Sequence, residues 1–283
     1  MHRGRIAPTP TGLLHLGHAR TFAKAAGYAK DANGTLVLRI EDLDKARCQP
    51  EFTTQAIEDL KWLGIQWQEG PDCGGPHTPY IQSQRLVGFN AVWKMLHGSG
   101  SIYPCDKSRQ DVERTLVAPH AEDDAEPIFP NSLRPDLSAG RNATSPGNTN
   151  WRFRVPDGAV ITFNDSIQGP QSFIAGKDFG DFLIWRKDGM PSYEMAVVAD
   201  DHAMEINHVV RGADLLKSTA RQILIYQALR WSIPHWSHVA LINDAKGQRL
   251  SKRAAGLSIK ELRNKGLSPA EILTAPVDSI VRL

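Results

Sequence analysis

Two histidines near the amino terminus form the first arrangement of residues that could carry chemistry. His15 and His18 flank Gly17 in the stretch APTPTGLLHLGHAR, where a proline-rich and glycine-rich turn gives way to a helical pattern. The amino terminus of a helix offers N–H groups and a positive dipole end to an anion, and glycine lets a ligand approach the backbone closely. The pattern indicates a phosphate-binding turn. The alternative is one packed and one surface histidine without a ligand.

Other common explanations for a phosphate or metal site lack support in the sequence. Neither GxGxxG nor GxxxxGK[ST], the two most common phosphate-binding motifs, occurs in the chain. A zinc site built on His15 and His18 would need a third ligand, and none is evident nearby.

Two further stretches carry charges that suit the same chemistry. GQRLSKRAAG (247–256) is a basic loop bounded by glycines, in which Lys252 could close over phosphates. LRIEDLDKAR (38–47) places Glu41, Asp42 and Asp44 just after an apolar strand pattern, where a carboxylate could bind an amino group. If each stretch is considered alone, the alternative for residues 247–256 is an exposed basic loop, and the alternative for residues 38–47 is a solvated acidic turn.

The elements that must position these residues form a strand, helix, strand order. RGRIA (3–7) predicts a short strand, residues 17–33 predict a helix that ends at Asn33-Gly34, and TLVLRIE (35–41) predicts a buried strand. This order is a βαβ unit and predicts a parallel sheet with helices on its faces. Helical patterns follow from Pro50 and over residues 83–97.

The middle of the chain has a different character. Residues 118–150 are rich in Pro, Asn, Ser, Gly and acidic side chains, which favours a surface segment. WRFRV (151–155) and AVITF (159–163) flank a Pro-Asp-Gly turn and predict a β-hairpin. We therefore expect four parts: residues 1–98 and 181–245 as the two halves of one α/β domain, 99–180 as an inserted α+β subdomain, and 246–283 as a loop and a helical tail.

Composition excludes several classes of protein. The 283 residues carry a formal charge of +2, too small to require a nucleic-acid partner but compatible with one. Apolar runs fall well short of the roughly 20 residues that cross a membrane, and no secretory signal is evident, so a cytoplasmic location is expected. The three cysteines are widely spaced and form no CxxC pair, which indicates reduced thiols.

Taken together, these stretches resemble the catalytic domain of the class I aminoacyl-tRNA synthetases of the glutamyl branch. RIAPTPTGLLHLGHAR resembles the first signature of that branch, LRIEDLD and YIQSQR further elements, and RLSKR its KMSKS loop, with Arg249 in place of the first lysine. GMPSYEMAVVADDHAMEINHVVRGADLL (189–216) resembles the second half of the fold. The resemblance covers most of residues 3–265 and implies a Rossmann-like parallel sheet.

The resemblance implies that ATP, with Mg²⁺, activates glutamate as glutamyl-adenylate without tRNA, and that the glutamyl group then passes to an acceptor. Matched positions imply that His15, Gly17, His18, Leu250, Ser251 and Lys252 serve ATP and the departing pyrophosphate. They imply that Arg5 and Arg211 bind the side-chain carboxylate of glutamate, and that Glu41, Thr9 and Tyr193 complete the pocket. Two guanidinium groups favour glutamate over neutral glutamine.

Length narrows the expected acceptor. Only 30 residues follow Arg253, whereas an anticodon-binding domain requires on the order of 100 residues. The resemblance is therefore to the short paralogues of the branch, which attach glutamate to the queuosine base at the wobble position of tRNA(Asp). Arg109, Arg114, Arg134 and Arg152 lie in or near the insertion and are candidates for RNA contacts. A monomer is the default expectation.

The insertion departs from the family pattern at its metal site. Many members bind zinc there through a C-x-C pair and a Y-x3-C pair, but this chain keeps only Cys105 and has Lys107, Phe129 and Leu133 at the other positions. One thiol cannot hold a structural zinc, so we predict none. The insertion must then be held by packing, for example through Trp151 and Phe153.

Three other functions stay open at this stage. A ligase that delivers glutamate to a carrier protein or a small amine would have the same active site. A non-catalytic regulatory paralogue could bind glutamate or tRNA, although the intact set of candidate residues argues against it. A pantothenate-synthetase-like nucleotidyltransferase shares the H-x-G-H element but would not explain Arg5, Glu41 and Arg211.

Overall fold

Strands and helices alternate through the first and last thirds of the chain, and strands dominate the middle. The computed structural model describes residues 1–107, 128–242 and 258–281. The strands are β1 (Arg3–Ile6), β2 (Thr35–Leu38), β3 (Ile102–Cys105), β4 (Asn150–Phe153), β5 (Val160–Asp165), β6 (Gly169–Ile174), β7 (Phe182–Trp185), β8 (His208–Gly212) and β9 (His235–Val239). The α-helices are α1 (Leu16–Asp31), α2 (Pro50–Trp62), α3 (Leu86–Gly98), α4 (Tyr193–Ala203), α5 (Leu216–Leu229), α6 (Ile259–Asn264), α7 (Pro269–Thr274) and α8 (Val277–Val281).

A four-stranded parallel sheet forms the centre of the molecule. Its strand order is β2-β1-β8-β9, and every neighbouring pair runs parallel. Strands β1 and β2 are joined through α1, which confirms the predicted βαβ unit and the α/β fold class. From β1 the chain continues to β2 on one side of the sheet, whereas β8 and β9 lie on the other side. In open α/β sheets, a crevice forms at such a point, at the carboxyl ends of the strands.

Helix α1 forms because small and apolar residues recur on one face. Leu16, Ala19, Phe22, Ala25 and Ala29 are buried on that face. The chain then reverses into β2 through Asn33, which has a φ of 47°, and Gly34. A β-carbon at position 34 would lie 2.3 Å from the carbonyl oxygen of His2, so only glycine fits this turn.

The region between α3 and α4 contains two further sheets. Strands β3, β4 and β7 form an antiparallel sheet in the order β3-β4-β7, and β5 and β6 form a separate hairpin. The predicted hairpin of residues 151–155 with 159–163 is therefore wrong. A turn does form, with Ala159 N–H donating to Pro156 O over 2.9 Å, but the strands on its two sides join different sheets. Strand β7 lies beyond the expected boundary at residue 180, and the four-part division stays a prediction.

The last described segment folds back onto the start of the chain. Ile259 N–H donates to Leu14 O over 2.8 Å, and the Arg20 side chain donates to Ile272 O over 3.1 Å. The side chains of Ile259 and Ile272 are fully buried in the cluster that also contains Leu14 and the inner face of α1. This packing fixes the amino-terminal turn from its outer side. No helix in residues 1–107, 128–242 or 258–281 is long and apolar enough to cross a membrane.

Candidate active site

A cavity of about 590 Å³ opens at the carboxyl ends of the central strands. It lies beside the amino terminus of α1, and its volume is within the range of small-molecule sites. The structure brings together there all the described residues expected to bind ATP or glutamate: Arg5, Thr9, His15, Gly17, His18, Glu41, Tyr193 and Arg211.

The expected ATP-binding residues of the KMSKS-like loop lie outside the described residues. These are Leu250, Ser251 and Lys252. The described residues on both sides of this segment are at the site, because Ile242 lines the cavity and Ser258 forms a β-bridge with His15.

The histidine pair forms the N-terminal cap of α1. His15 Nδ1 accepts a hydrogen bond from Gly17 N–H over 3.1 Å, and His18 Nδ1 accepts one from His15 N–H over 3.3 Å. The two imidazoles lie 3.7 Å apart between ring centroids. Because each Nδ1 accepts, each neutral ring carries its proton on Nε2, which makes Nε2 a donor. Both rings therefore cap the helix and present the type of group that a phosphate requires.

Gly17 leaves room for the imidazole of His15. A β-carbon at this position would lie 3.1 Å from Cε1 and 3.2 Å from Nδ1 of His15. With a side chain at position 17, the imidazole would have to shift by a few tenths of an ångström. The glycine thus serves the placement of His15, a role that its spacing alone did not reveal.

Arg211 is a buried cation that forms no ion pair with any residue in the described part of the chain. Its side chain lies at the end of β8 and is 5% exposed. Within the described chain, no carboxylate oxygen lies within 4.0 Å of its guanidinium group, and Nη1 has no hydrogen-bond partner. An uncompensated buried charge costs several kcal/mol. Its position in the cavity wall indicates that an anionic ligand completes this site.

Arg5 enters the same cavity from the neighbouring strand β1. Its Nη1 donates to Val210 O over 3.0 Å, and its Nε lies 3.5 Å from Asp201 Oδ1 without forming a hydrogen bond. A carboxylate therefore lies beside Arg5, whereas none in the described chain lies within 4.0 Å of Arg211. The two guanidinium groups define a cationic wall that suits a carboxylate.

Glu41 supplies the acidic side of the cavity. The fully buried Arg39 donates to Glu41 Oε1 from Nη2 over 2.9 Å and to Asp201 Oδ1 from Nη1 over 2.6 Å. Burial raises the pKa of the Glu41 carboxyl above its ordinary value, although the charges of Arg39 and Arg5 oppose that shift. A cationic ligand would stabilise the charged form of Glu41, which makes this carboxylate suited to an ammonium group.

The three acidic residues that follow β2 have separate roles. Asp42 accepts hydrogen bonds from Ser83 N–H over 2.8 Å and from its hydroxyl over 2.6 Å, so it fixes a neighbouring loop. Asp44 pairs with Arg47 at the surface. Only Glu41 lines the cavity. Sequence spacing could not identify which of the three lines the cavity, because the order of residues after the strand does not reveal which side chain points into it.

Sequence reasoning missed the charged residues beneath the cavity. Arg39, Asp200 and Asp201 form a buried network, which Arg85 extends by donating to Asp200 Oδ1. The available signal was charge within apolar patterns. Arg39 lies in the apolar stretch TLVLRI directly after β2 ends, and two adjacent aspartates lie in the helical stretch AVVADDH. Buried charges of this kind are rare unless they are paired.

The described positions at which the resemblance placed a zinc pattern are filled by packing. Cys105, Tyr103 and Phe129 form a buried cluster, and Leu133 packs against it. Beside it, Arg134 donates to both carboxylate oxygens of Asp181, each over 2.7 Å. Among the residues that the structure describes, no group of three or more His, Cys, Asp or Glu could hold a metal ion.

The absence of structural zinc stays a prediction with a direct test. We expect metal analysis of the purified protein to find zinc well below one equivalent. We also expect EDTA to leave the thermal unfolding midpoint unchanged. A structural metal contributes its binding free energy to the stability of the fold, so its removal would lower the midpoint. One equivalent of zinc that copurifies and whose removal lowers the midpoint would contradict the prediction.

Two of the expected RNA-contacting arginines have partners within the protein. Arg134 is paired with Asp157 and Asp181, so its charge is compensated. Arg152 lies over the ring of Phe129 at 4.3 Å from its centroid and donates to Asp181 O over 2.9 Å. Both are therefore weak candidates for phosphate contacts. Arg109 and Arg114 lie outside the described residues.

The fold and the cavity define a Rossmann-like α/β domain with an anion-binding helix turn and a charged small-molecule pocket. The model of the family "tRNA synthetases class I (E and Q), catalytic domain" matches residues 2–277. The chain therefore belongs to the glutamate and glutamine family of class I tRNA synthetases, which are ligases, as the resemblance of its motifs predicted.

Named relatives narrow this likeness to the glutamyl branch. A protein of Symbiobacterium thermophilum named glutamyl-Q tRNA(Asp) synthetase is 44% identical, over 95% of this chain and 84% of its own length. A glutamate–tRNA ligase of Sulfurihydrogenibium sp. is 42% identical, over 94% of this chain but 55% of its own length.

A solved structure shows the same likeness in three dimensions. The glutamate tRNA ligase of Elizabethkingia meningosepticum, in complex with its amino acid, has a TM-score of 0.75 and 32% identity. The match covers 89% of this chain and 52% of that one. The chain thus spans about half the length of the glutamate–tRNA ligases it matches.

Proposed function

We propose that the protein uses ATP with Mg²⁺ to convert glutamate into glutamyl-adenylate without tRNA. It then transfers the glutamyl group to the queuosine base of tRNA(Asp), and AMP leaves. The glutamate α-carboxylate attacks the α-phosphate of ATP, and pyrophosphate leaves. Such chemistry depends on positioning and charge stabilisation rather than on a covalent nucleophile of the protein. The observation that carries the proposal is the buried Arg211 in the cavity wall.

The two arginines give the pocket its preference for a second carboxylate. Arg211 has a buried Nη1 without a partner in the described chain, and Arg5 lies on the adjacent strand of the same cavity. A glutamate side chain would supply the missing negative charge as a charge-assisted hydrogen-bond acceptor. A glutamine side chain would supply only a neutral oxygen and would leave buried positive charge uncompensated.

The opposite side of the pocket is proposed to bind the amino-acid end of the substrate. Glu41, held by Arg39, would pair with the α-ammonium group. Tyr193, at the start of α4, and Thr9 line the same cavity and would complete the contacts. This arrangement leaves the α-carboxylate to meet ATP.

The histidine turn is proposed to bind the ATP phosphates. His15 and His18 provide Nε2 donors at the positive end of the α1 dipole, and Gly17 permits their arrangement. Ser251 and Lys252 would stabilise the departing pyrophosphate, with Leu250 beside the nucleotide. Mg²⁺ is proposed to enter as its complex with ATP. Because the proposed substrates are ATP and tRNA, we also propose a cytoplasmic location.

The choice of queuosine rests on similarity to relatives named for that acceptor. Relatives named as glutamate–tRNA ligases are almost as similar, so the acceptor needs a direct test. The assay supplies radiolabelled glutamate, ATP and one of three RNAs: tRNA(Asp) with queuosine, tRNA(Asp) without it, or tRNA(Glu). We expect label only on the queuosine-containing tRNA, and after nuclease cleavage we expect it on the fragment that carries the wobble base rather than on the 3′-terminal fragment. Labelling that is independent of queuosine, or labelling of tRNA(Glu) alone, would contradict the proposed acceptor.

A glutamate-activating ligase with another acceptor is the second candidate. The described pocket accounts for glutamate and ATP but does not select the acceptor, so this candidate differs only in the transfer step. Activation of glutamate with no transfer to any tRNA would favour a carrier protein or a small amine. Absence of both activation and transfer would favour a non-catalytic paralogue.

A further inference from the structure

Two residues behind Arg211 hold its guanidinium group in place. Arg211 Nε donates to His238 Nε2 over 3.1 Å, and Nη2 donates to Thr219 Oγ1 over 2.6 Å. His238 is fully buried on β9 and is the direct neighbour of Arg211 in the parallel register of β8 and β9. These contacts occupy Nε and Nη2 from behind, while Nη1 has no partner in the described parts of the chain.

The contact between Arg211 and His238 requires one particular form of the imidazole. Because Arg211 Nε–H is a donor, His238 Nε2 must be an acceptor, and the proton of the neutral ring must therefore lie on Nδ1. Asp165 Oδ2 accepts from that Nδ1 over 2.6 Å and so fixes this tautomer. Burial, together with the charge of Arg211, lowers the pKa of His238 to about 4, which keeps the ring neutral near pH 7.

Asp165 is itself fixed, and it comes from the hairpin of β5 and β6. It is the last residue of β5, and its Oδ1 accepts from the backbone N–H groups of Ile167 over 3.0 Å and Gln168 over 2.8 Å. Its carboxylate also accepts from the backbone N–H of His238. The hairpin of β5 and β6 thus reaches the central sheet directly behind the cavity.

We propose that Asp165 and His238 are positioning residues that orient Arg211 for the glutamate side chain, so that the inserted hairpin sets the amino-acid specificity of the site. The inference rests on the proposed glutamate activation. Asp165 also brings a negative charge near Arg211 through a neutral ring, without occupying the guanidinium edge that the ligand needs. A carboxylate in direct contact with Arg211 would instead compete with glutamate.

Three variants separate positioning from a general structural role. His238→Leu removes the acceptor, whereas His238→Gln places an amide oxygen near the position of Nε2. Asp165→Asn keeps an oxygen for the backbone N–H groups but lets the amide donate to Nδ1, which moves the ring proton to Nε2 against Arg211. Gln168→Ala is the matched control, because it removes a 2.9 Å hydrogen bond between the same hairpin and His238 O without touching the ring.

Glutamate-dependent ATP–pyrophosphate exchange measures the effect. A lost hydrogen bond to a charged group corresponds to roughly a 10- to 100-fold rise in KM for glutamate in His238→Leu and Asp165→Asn. KM for ATP should stay within about twofold, and the preference for glutamate over glutamine should fall by a similar factor. His238→Gln should recover most of the loss, and Gln168→Ala should match the wild type.

The failure of this inference is distinguishable from failure of the proposed function. Wild-type protein that shows no glutamate-dependent exchange would overturn the proposed function. If the wild type is active, two results would overturn the positioning role alone. One is an Asp165→Asn variant with an unchanged KM for glutamate, and the other is a Gln168→Ala variant with an equal rise. Should His238→Leu fail to fold, Asp165→Asn and Gln168→Ala still decide the question.

Discussion

Replacement of Arg211 by methionine is expected to lower kcat/KM for glutamate in ATP–pyrophosphate exchange by about a thousandfold. The physical reason is the loss of a buried, charge-assisted contact to the substrate carboxylate, which costs about 4 kcal/mol of binding at such sites. Most of the loss should lie in KM if the contact is equally strong in the ground state and the transition state. The measurement is exchange over a range of glutamate concentrations at saturating ATP.

The same variant should not destabilise the protein. Arg211 has no carboxylate partner among the described residues, so methionine removes a buried charge that folding has to desolvate. His238 Nε2 loses the donor Arg211 Nε, but the Thr219 hydroxyl lies 3.0 Å away and can donate to it instead. We expect an unfolding midpoint equal to or above that of the wild type. The matched control is Arg39→Met, which breaks a buried network with Glu41 and Asp201 and should cost about 3–5 kcal/mol of stability. A stable Arg211→Met variant with wild-type activity toward glutamate would contradict the assigned role.

Replacement of His15 by asparagine is expected to reduce kcat for exchange by about 100-fold or more while it preserves the fold. Asparagine is among the best N-cap residues, so its side-chain oxygen can replace Nδ1 in accepting from the first turn of α1. It lacks a donor at the distance of Nε2, and loss of one donor to a developing charge costs about 10²- to 10³-fold in kcat. Exchange kinetics with thermal unfolding of the same samples measure both effects.

His15→Ala serves as the comparison for that variant. It removes the cap as well as the donor, so it should show the same kinetic loss and an additional loss of about 1 kcal/mol in stability. If His15→Asn keeps full activity, the histidine acts only as a helix cap, and the phosphate-binding role is wrong.

The sequence was most informative where chemistry and local structure coincide. The strand, helix and strand of residues 3–38 follow from apolar periodicity and from the Asn33-Gly34 stop, and the charged motifs placed His15, Glu41 and Arg211 in one candidate site. The βαβ unit depends on contacts between residues that are close in sequence. The site depends on charged residues and histidines, which rarely occur in such motifs without a function.

The features that the sequence could not reveal depend on long-range packing. The strands on either side of the Pro156 turn have the local pattern of a hairpin, yet burial of Trp151 and Phe153 against α3 and β7 assigns β4 to another sheet. The contact between Asp165 and His238 joins residues 73 positions apart, and nothing in either neighbourhood indicates its partner. Tertiary context decides such pairings.

Activation of glutamate without tRNA is measured directly by ATP–pyrophosphate exchange with the purified wild-type protein. The reactions contain glutamate, glutamine or no amino acid, and no RNA. We expect exchange with glutamate, little with glutamine, and almost none in Lys252→Ala. Exchange that is equal with glutamine, or that appears only after tRNA is added, would contradict tRNA-independent activation of glutamate in this cavity.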